Sequence, residues 1–158
     1  MIFITLGTQD KPFKRLLNEV QNCIDKGLIK DTVIVQAGCT KFKSDDMIIQ
    51  DYIPMESFDE YIEKADLIIC HGGVGSIISA LNKKKKVIAV PRLKKYKEHV
   101  NDHQLQIIDN FIKEEYIVGV RDVSELEEGL KKVKNFTPKT YKSNRDNMIK
   151  LIEELIED

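Results

Sequence analysis

The sequence has no run of about 18 consecutive apolar residues and no basic segment ahead of an apolar stretch in its opening MIFITLGTQDK, so neither a membrane span nor a signal peptide is expected. Cysteines are few and odd in number. Cys23, Cys39 and Cys70 contain no CxxC pair, which speaks against a disulfide framework and against a zinc site. A large charge of one sign is missing too: 25 Lys and Arg face 26 Asp and Glu, a formal net charge of -1. That balance gives no global attraction to nucleic acid or to an anionic membrane, so any basic patch is local. Neither GxGxxG nor the GK[ST] of a P-loop occurs, which argues against NAD and ATP. These absences give a cytoplasmic chain as the expectation.

What is present suits one globular domain. The 158 residues leave room for one Rossmann-type lobe, not two of about 100 to 200 residues each, and 42% apolar content is enough for a buried core. A β-branched run at 2–6 closes at Gly7, and from Pro12 onward Phe13, Leu16, Leu17, Val20 and Ile24 recur at helical spacing, with Asp10 as the expected N-cap. The same alternation predicts strands at 32–36, 47–50, 67–70, 87–90 and 117–120, with helices at 57–65, 76–81, 101–114 and 123–133. A terminal helix over 144–157, with Met148, Ile149, Leu151, Ile152, Leu155 and Ile156 as its apolar stripe, packs on its own sheet or docks a partner. Uninterrupted apolar strands alternating with helices indicate an α/β fold: a single Rossmann-like domain, 1–158, with a mainly parallel sheet flanked by helices.

Two loops carry candidate chemistry. His71-Gly72-Gly73-Val74-Gly75-Ser76 lies where a buried strand hands over to a helix, and three glycines in four positions let backbone N–H groups approach a ligand. A helix N-terminus has unpaired N–H donors and about half a positive charge, so a diphosphate is the natural guest, and Ser76 either caps the helix or bonds a phosphate oxygen. Gly7 and Thr8 end the first strand and, in a parallel sheet, share its carboxyl edge with that loop. The polar stretch 91–104 follows a third strand. There Arg92, Lys94, Lys95 and Lys97 supply local positive potential, Gln104 is placed to bond sugar hydroxyls, and Asn101 or Asp102 caps a helix or faces a ligand. His99 and His103 have i, i+4 spacing but no third ligand, so no metal is expected. The segment 83–86, four lysines, reads as a solvated turn.

Taken together these residues resemble the C-terminal domain of glycosyltransferase family 28, the donor-binding lobe of GT-B enzymes. The resemblance is carried by Phe3-Ile4-Thr5-Leu6-Gly7-Thr8-Gln9 with Pro12-Phe13, by 70–76, and by Val90-Pro91-Arg92 followed by Glu98-His99-Val100-Asn101-Asp102-His103-Gln104. It is strongest toward the short stand-alone subunits of split UDP-sugar transferases, in dolichol-linked glycan synthesis and in bacterial capsule and exopolysaccharide assembly. The resemblance implies that the glycine loop and Ser76 hold a donor diphosphate, with Asn101, Asp102 and Gln104 near the donor sugar and ribose. Many relatives carry a Glu three residues beyond the loop's last Ser or Thr; Ser79 stands there in this chain. The implied function is a UDP-sugar-binding subunit of a two-component inverting glycosyltransferase, transferring a hexose or N-acetylhexosamine to a lipid-linked acceptor, with no cofactor. The alternative is a non-catalytic enhancer of a partner transferase. A GT-B site lies between two lobes, so the resemblance also implies a membrane-associated, acceptor-binding partner that recruits this chain to the inner face of the membrane. No catalytic residue is assigned: the general base comes from the partner, or from His71 by position alone. Homo-oligomers are left open.

Overall fold

The computed structural model describes residues 1–142, so the predicted helix at 144–157 lies outside the described residues. Six strands form one sheet: β1 (Ile2–Thr5), β2 (Val33–Gln36), β3 (Met47–Gln50), β4 (Leu67–His71), β5 (Val87–Val90) and β6 (Val118–Gly119). Their spatial order is β3-β2-β1-β4-β5-β6 and every pairing is parallel, with Thr5 beside Gln36 on one side and Cys70 on the other. Parallel neighbours require crossovers, and helices supply four of them: α1 (Lys14–Asp25), α2 (Met55–Lys64), α3 (Val74–Asn82) and α4 (His103–Lys113); β2 and β3 are joined by a loop, and α5 (Leu126–Lys134) follows β6.

The two-residue period of the strands sorts side chains into two cores. Ile2, Ile4, Val33, Val35 and Ile69 face Leu16, Leu17 and Val20 of α1 and Leu126, Leu130 and Val133 of α5. Phe3, Ile68, Cys70, Val87 and Ala89 face the opposite way, onto Ile62 of α2, Ile77 and Ala80 of α3, and Ile108 and Phe111 of α4. Both faces are covered, which is why the central strands read as unbroken apolar runs. At the edge, β3 is weaker because it buries only one face: Met47 and Ile49 join a core while Ile48 is exposed.

Several boundaries differ from the sequence pattern for local reasons. Asp10 does not cap α1; it is exposed, and the entry to the helix is fixed from a distance by the buried Thr40 hydroxyl, which accepts the Phe13 N–H at 2.9 Å. Helix α2 begins at Met55, earlier than expected, because Pro54 immediately precedes it in an extended conformation. The predicted single helix at 123–133 is a 3-10 turn, Val123–Glu125, that runs into α5, its start fixed by Asp122 accepting the Ser124 N–H. The lysine run is not simply solvated. Lys85 Nζ donates to the carbonyls of Glu63 and Ala65, and Lys86 Nζ to those of Val133 and Lys134 at the end of α5, where a helix leaves carbonyls unpaired.

Replacing Thr40 by Val keeps its shape and removes the acceptor. This variant is expected to lose about 1–3 kcal/mol, seen as a lower urea midpoint with an unchanged slope.

Candidate functional site

The strand order positions the site. Strands β1 and β4 are neighbours, yet the chain leaves β1 toward β2 and leaves β4 toward β5, so the two connections diverge and open a crevice at the carboxyl ends of the pair. Both glycine loops lie there, as the sequence predicted: Gly7 and Thr8 follow β1, and His71 is the last residue of β4. They meet at the His71 imidazole. Gly7 has φ +78°, and a Cβ on it would sit 2.5 Å from His71 Nε2; on Gly73 it would sit 2.2 Å from Cε1.

The glycines therefore serve two purposes that the sequence did not separate. Gly72 is closed over by α4, where a Cβ would meet Gln104 Cβ at 2.7 Å, and Gly73 makes room for the imidazole. Of the three glycines in this loop, only Gly75 has open space at its Cβ position. Helix α3 starts at Val74, two residues earlier than expected, with Gly73 as its N-cap and no side-chain cap. Its first inward hydrogen bond is from Ile77 N–H to the Gly73 carbonyl, at 3.2 Å. The first N–H groups, Val74 to Ser76, thus point out of an uncapped helix end beside Gly75. Ser76 is not a cap; its hydroxyl lies 3.5 Å from His71 Nε2.

The wall behind this loop is a buried polar lattice. Gln104, expected at sugar hydroxyls, is buried, and its Oε1 accepts N–H groups from Gly72 at 3.1 Å and Arg92 at 3.0 Å while its Nε2 meets His71 Nδ1 at 3.1 Å. Arg92, expected to lend positive potential to phosphates, is 1% exposed. Its guanidinium donates to the carbonyls of Leu6, Lys11 and Glu98, tying the loop after β1 to the loop after β5, and burial pushes its pKa down to about 10. The sequence pattern named Glu98 within the motif 98–104 but gave it no role, and it did not point to its partner Arg15. The buried Glu98 carboxylate takes a bidentate pair of bonds from Arg15, each 3.0 Å, and the Leu93 N–H. Nothing local signals this, because Arg15 and Glu98 are 83 residues apart.

The rest of the 91–104 stretch forms the rim. Lys94, Lys95 and Lys97 are exposed on a tight turn, with the Lys94 N–H held by Asp102 at 2.8 Å. Asn101 caps α4 by accepting the His103 N–H, so Asp102, although at the N-cap position, has its carboxylate elsewhere. Helix α4 starts at His103, which removes the i, i+4 relation from His99. His99 bonds Gln9 across the crevice and the Asn101 N–H, and among the described residues no cluster of three metal-binding side chains occurs. Thr8 is exposed at the mouth. A cavity of about 660 Å³ lies elsewhere, between α4, α5 and the β6 edge, and includes none of these residues.

Burial, the Arg92 charge and, to a lesser extent, His99 hold the His71 pKa down to about 3. An unfolded histidine titrates near 6.5, so below that pH the unfolded chain takes up a proton the folded one refuses. Stability tied to neutral His71 is complete above about pH 6.5 and is lost as pH falls toward 3. The advantage of wild type over His71→Gln is therefore expected to shrink by up to about 1.4 kcal/mol per pH unit, measured by urea unfolding from pH 7 to pH 4. The loop glycines give a second check. Gly73→Ala should destabilise the fold, whereas Gly75→Ala should leave it intact or raise its stability by up to about 1 kcal/mol, since alanine favours helix and meets nothing.

This geometry has counterparts among known proteins. The UDP-N-acetylglucosamine transferase subunit ALG13 of Candida albicans is 33% identical over 110 residues, 70% of this chain but 32% of that protein. The protein of the same name from Cryptococcus neoformans is 25% identical over 118 residues, 73% of this chain and 56% of its own length. The matched part of this chain thus spans about a third to a half of these relatives. The NMR solution structure of ALG13 superposes with a TM-score of 0.62 at 19% identity, covering 96% of this chain and 93% of that one. A glycotransferase of kitacinnamycin gives 0.59 at 14% identity, covering 84% of this chain and 34% of that one. At such identities these two superpositions speak for the fold, that of GT-B glycosyltransferases. The glycosyltransferase family 28 C-terminal domain matches residues 1–158, and with the glycine loop of that resemblance seated at the sheet's switch point, the chain belongs to this family.

Proposed function

We propose that this chain is the UDP-sugar-binding subunit of a two-component inverting glycosyltransferase. The observation that carries the reading is the uncapped N-terminus of α3, opening at Gly75 into the crevice where β1 and β4 part. A donor diphosphate suits that place: N–H groups and the positive end of a helix dipole converge there, and the rim lysines 94, 95 and 97 add positive charge. As the glycosidic bond breaks, negative charge grows on the departing UDP, and fixed donors that need no rearrangement stabilise it more than the ground state. Gln104 and Arg92 take the role of a brace behind the loop, and direct contact falls to Gly75, Ser76, His71 and Thr8, with Asn101 and Asp102 at the sugar side.

The names of the relatives support N-acetylglucosamine as the sugar within the hexose and N-acetylhexosamine class. One lobe makes half of a GT-B cleft, so the acceptor, a lipid-linked glycan of polysaccharide assembly, and the general base that deprotonates it belong to a membrane-associated partner. That partner brings the chain to the cytoplasmic face of the membrane; among the described residues no helix is long and apolar enough to cross one.

Calorimetric titration tests the reading. UDP-N-acetylglucosamine is expected to bind with or without EDTA and in preference to ADP-sugars, and Gly75→Ala should weaken it by at least about tenfold, or 1.4 kcal/mol, without lowering the melting temperature. Equal binding of ADP-sugars, or an unchanged affinity in the alanine variant, would count against the reading.

A further inference from the structure

We propose that Gln104 is a positioning residue that fixes His71 as the Nε2–H tautomer and so aims one imidazole N–H at the first turn of α3. The inference rests on the donor-binding reading for its ligand, a diphosphate oxygen, but the tautomer follows from the hydrogen bonds alone. Two backbone N–H groups, of Gly72 and Arg92, converge on one end of the Gln104 carboxamide at 3.1 and 3.0 Å. Only a carbonyl oxygen accepts two such donors, which settles which end is Oε1. The other end, Nε2, then faces His71 Nδ1 at 3.1 Å, and an amide nitrogen only donates, so Nδ1 holds a lone pair. A neutral imidazole with an unprotonated Nδ1 carries its single proton on Nε2. Burial favours the neutral ring at pH 7, holding its pKa near 3.

The ring has little freedom to do otherwise. Gly7 and Gly73 flank its Nε2 edge so closely that any Cβ would collide, and the Ser76 hydroxyl lies 3.5 Å from Nε2, too far for a strong bond. An N–H held in a slot with a weak partner is available to an anion at the helix start. Gln104 thereby acts on the ligand through His71, from a position where its own side chain is enclosed.

Two-bond proton–nitrogen correlation spectra of the free, histidine-labelled chain at pH 7 read this directly. Wild type is expected to show His71 with a protonated Nε2 and a bare Nδ1. Gln104→Glu keeps an acceptor for both backbone N–H groups but replaces the donor facing the ring, so Nδ1 should gain a proton and UDP affinity should fall by about tenfold. A protonated Nδ1 in wild type, or a bare one in a folded Gln104→Glu chain, would overturn the inference. The wild-type spectrum needs neither a variant nor a nucleotide. The expected tautomer in a chain that does not bind UDP refutes the donor reading alone, whereas UDP binding by an Nδ1–H tautomer refutes this inference alone.

Discussion

One carboxamide joins the parts on which this site depends. Gln104 projects from the first turn of α4 into the gap between the ends of β4 and β5, where it takes up the N–H groups of Gly72 and Arg92 and holds the His71 ring. Both backbone groups emerge from strand ends into loops, where no ladder partner continues, and each would be a buried donor without an acceptor if the side chain were absent. A buried hydrogen-bonded network of this kind favours a single arrangement of the loops it touches. The glycines fit around it: Gly72 lets α4 approach, and Gly7 and Gly73 leave the slot for the imidazole. The flexibility usually ascribed to a glycine-rich loop is here mostly close packing.

A second lattice holds the two sides of the crevice at a fixed distance. Arg92 reaches across to carbonyls of Leu6 and Lys11 after β1, and Phe13 lies under its guanidinium at 5.2 Å. Glu98, on the same loop as Arg92, is tied to Arg15 of α1, whose guanidinium also stacks 4.1 Å from the Tyr96 ring. Buried charges of this sort contribute less to net stability than to specificity, because desolvation offsets most of their attraction, while removal of one partner leaves the other stranded. Their effect here is geometric. These bonds tie the β1 and β5 loops to each other, so the mouth of the crevice is braced before a ligand arrives, which lowers the ordering cost of binding.

Most of the fold was legible because its signals are local. Apolar runs of four or five residues, punctuated by Gly7 and Pro91 and alternating with helical stripes, led to the α/β assignment and to the six strands of the described residues. The crevice was legible too, because in any parallel sheet the loops after β1 and β4 share one edge. What escaped depends on contacts between distant residues. Arg92 and Gln104 looked like ligand-facing groups by type, and only burial shows them as a brace; the Glu98 pair with Arg15 and the Thr40 cap on Phe13 span 83 and 27 residues. The roles of the four glycines could not be divided without knowing where the imidazole lies. Lys85 and Lys86 looked solvated because a sequence does not say that helix ends will arrive beside them.

Donor binding centres on one place: the three N–H groups that open α3, held by a wall that contains His71, Gln104 and Arg92. Backbone amide spectra of the nitrogen-labelled chain, recorded as UDP is added, test it most directly. The largest shifts are expected on Val74, Gly75 and Ser76, with smaller ones at Gly7 and Thr8. Shifts centred instead on Ile117, Val118 and Lys131, around the cavity at the β6 edge, would contradict it.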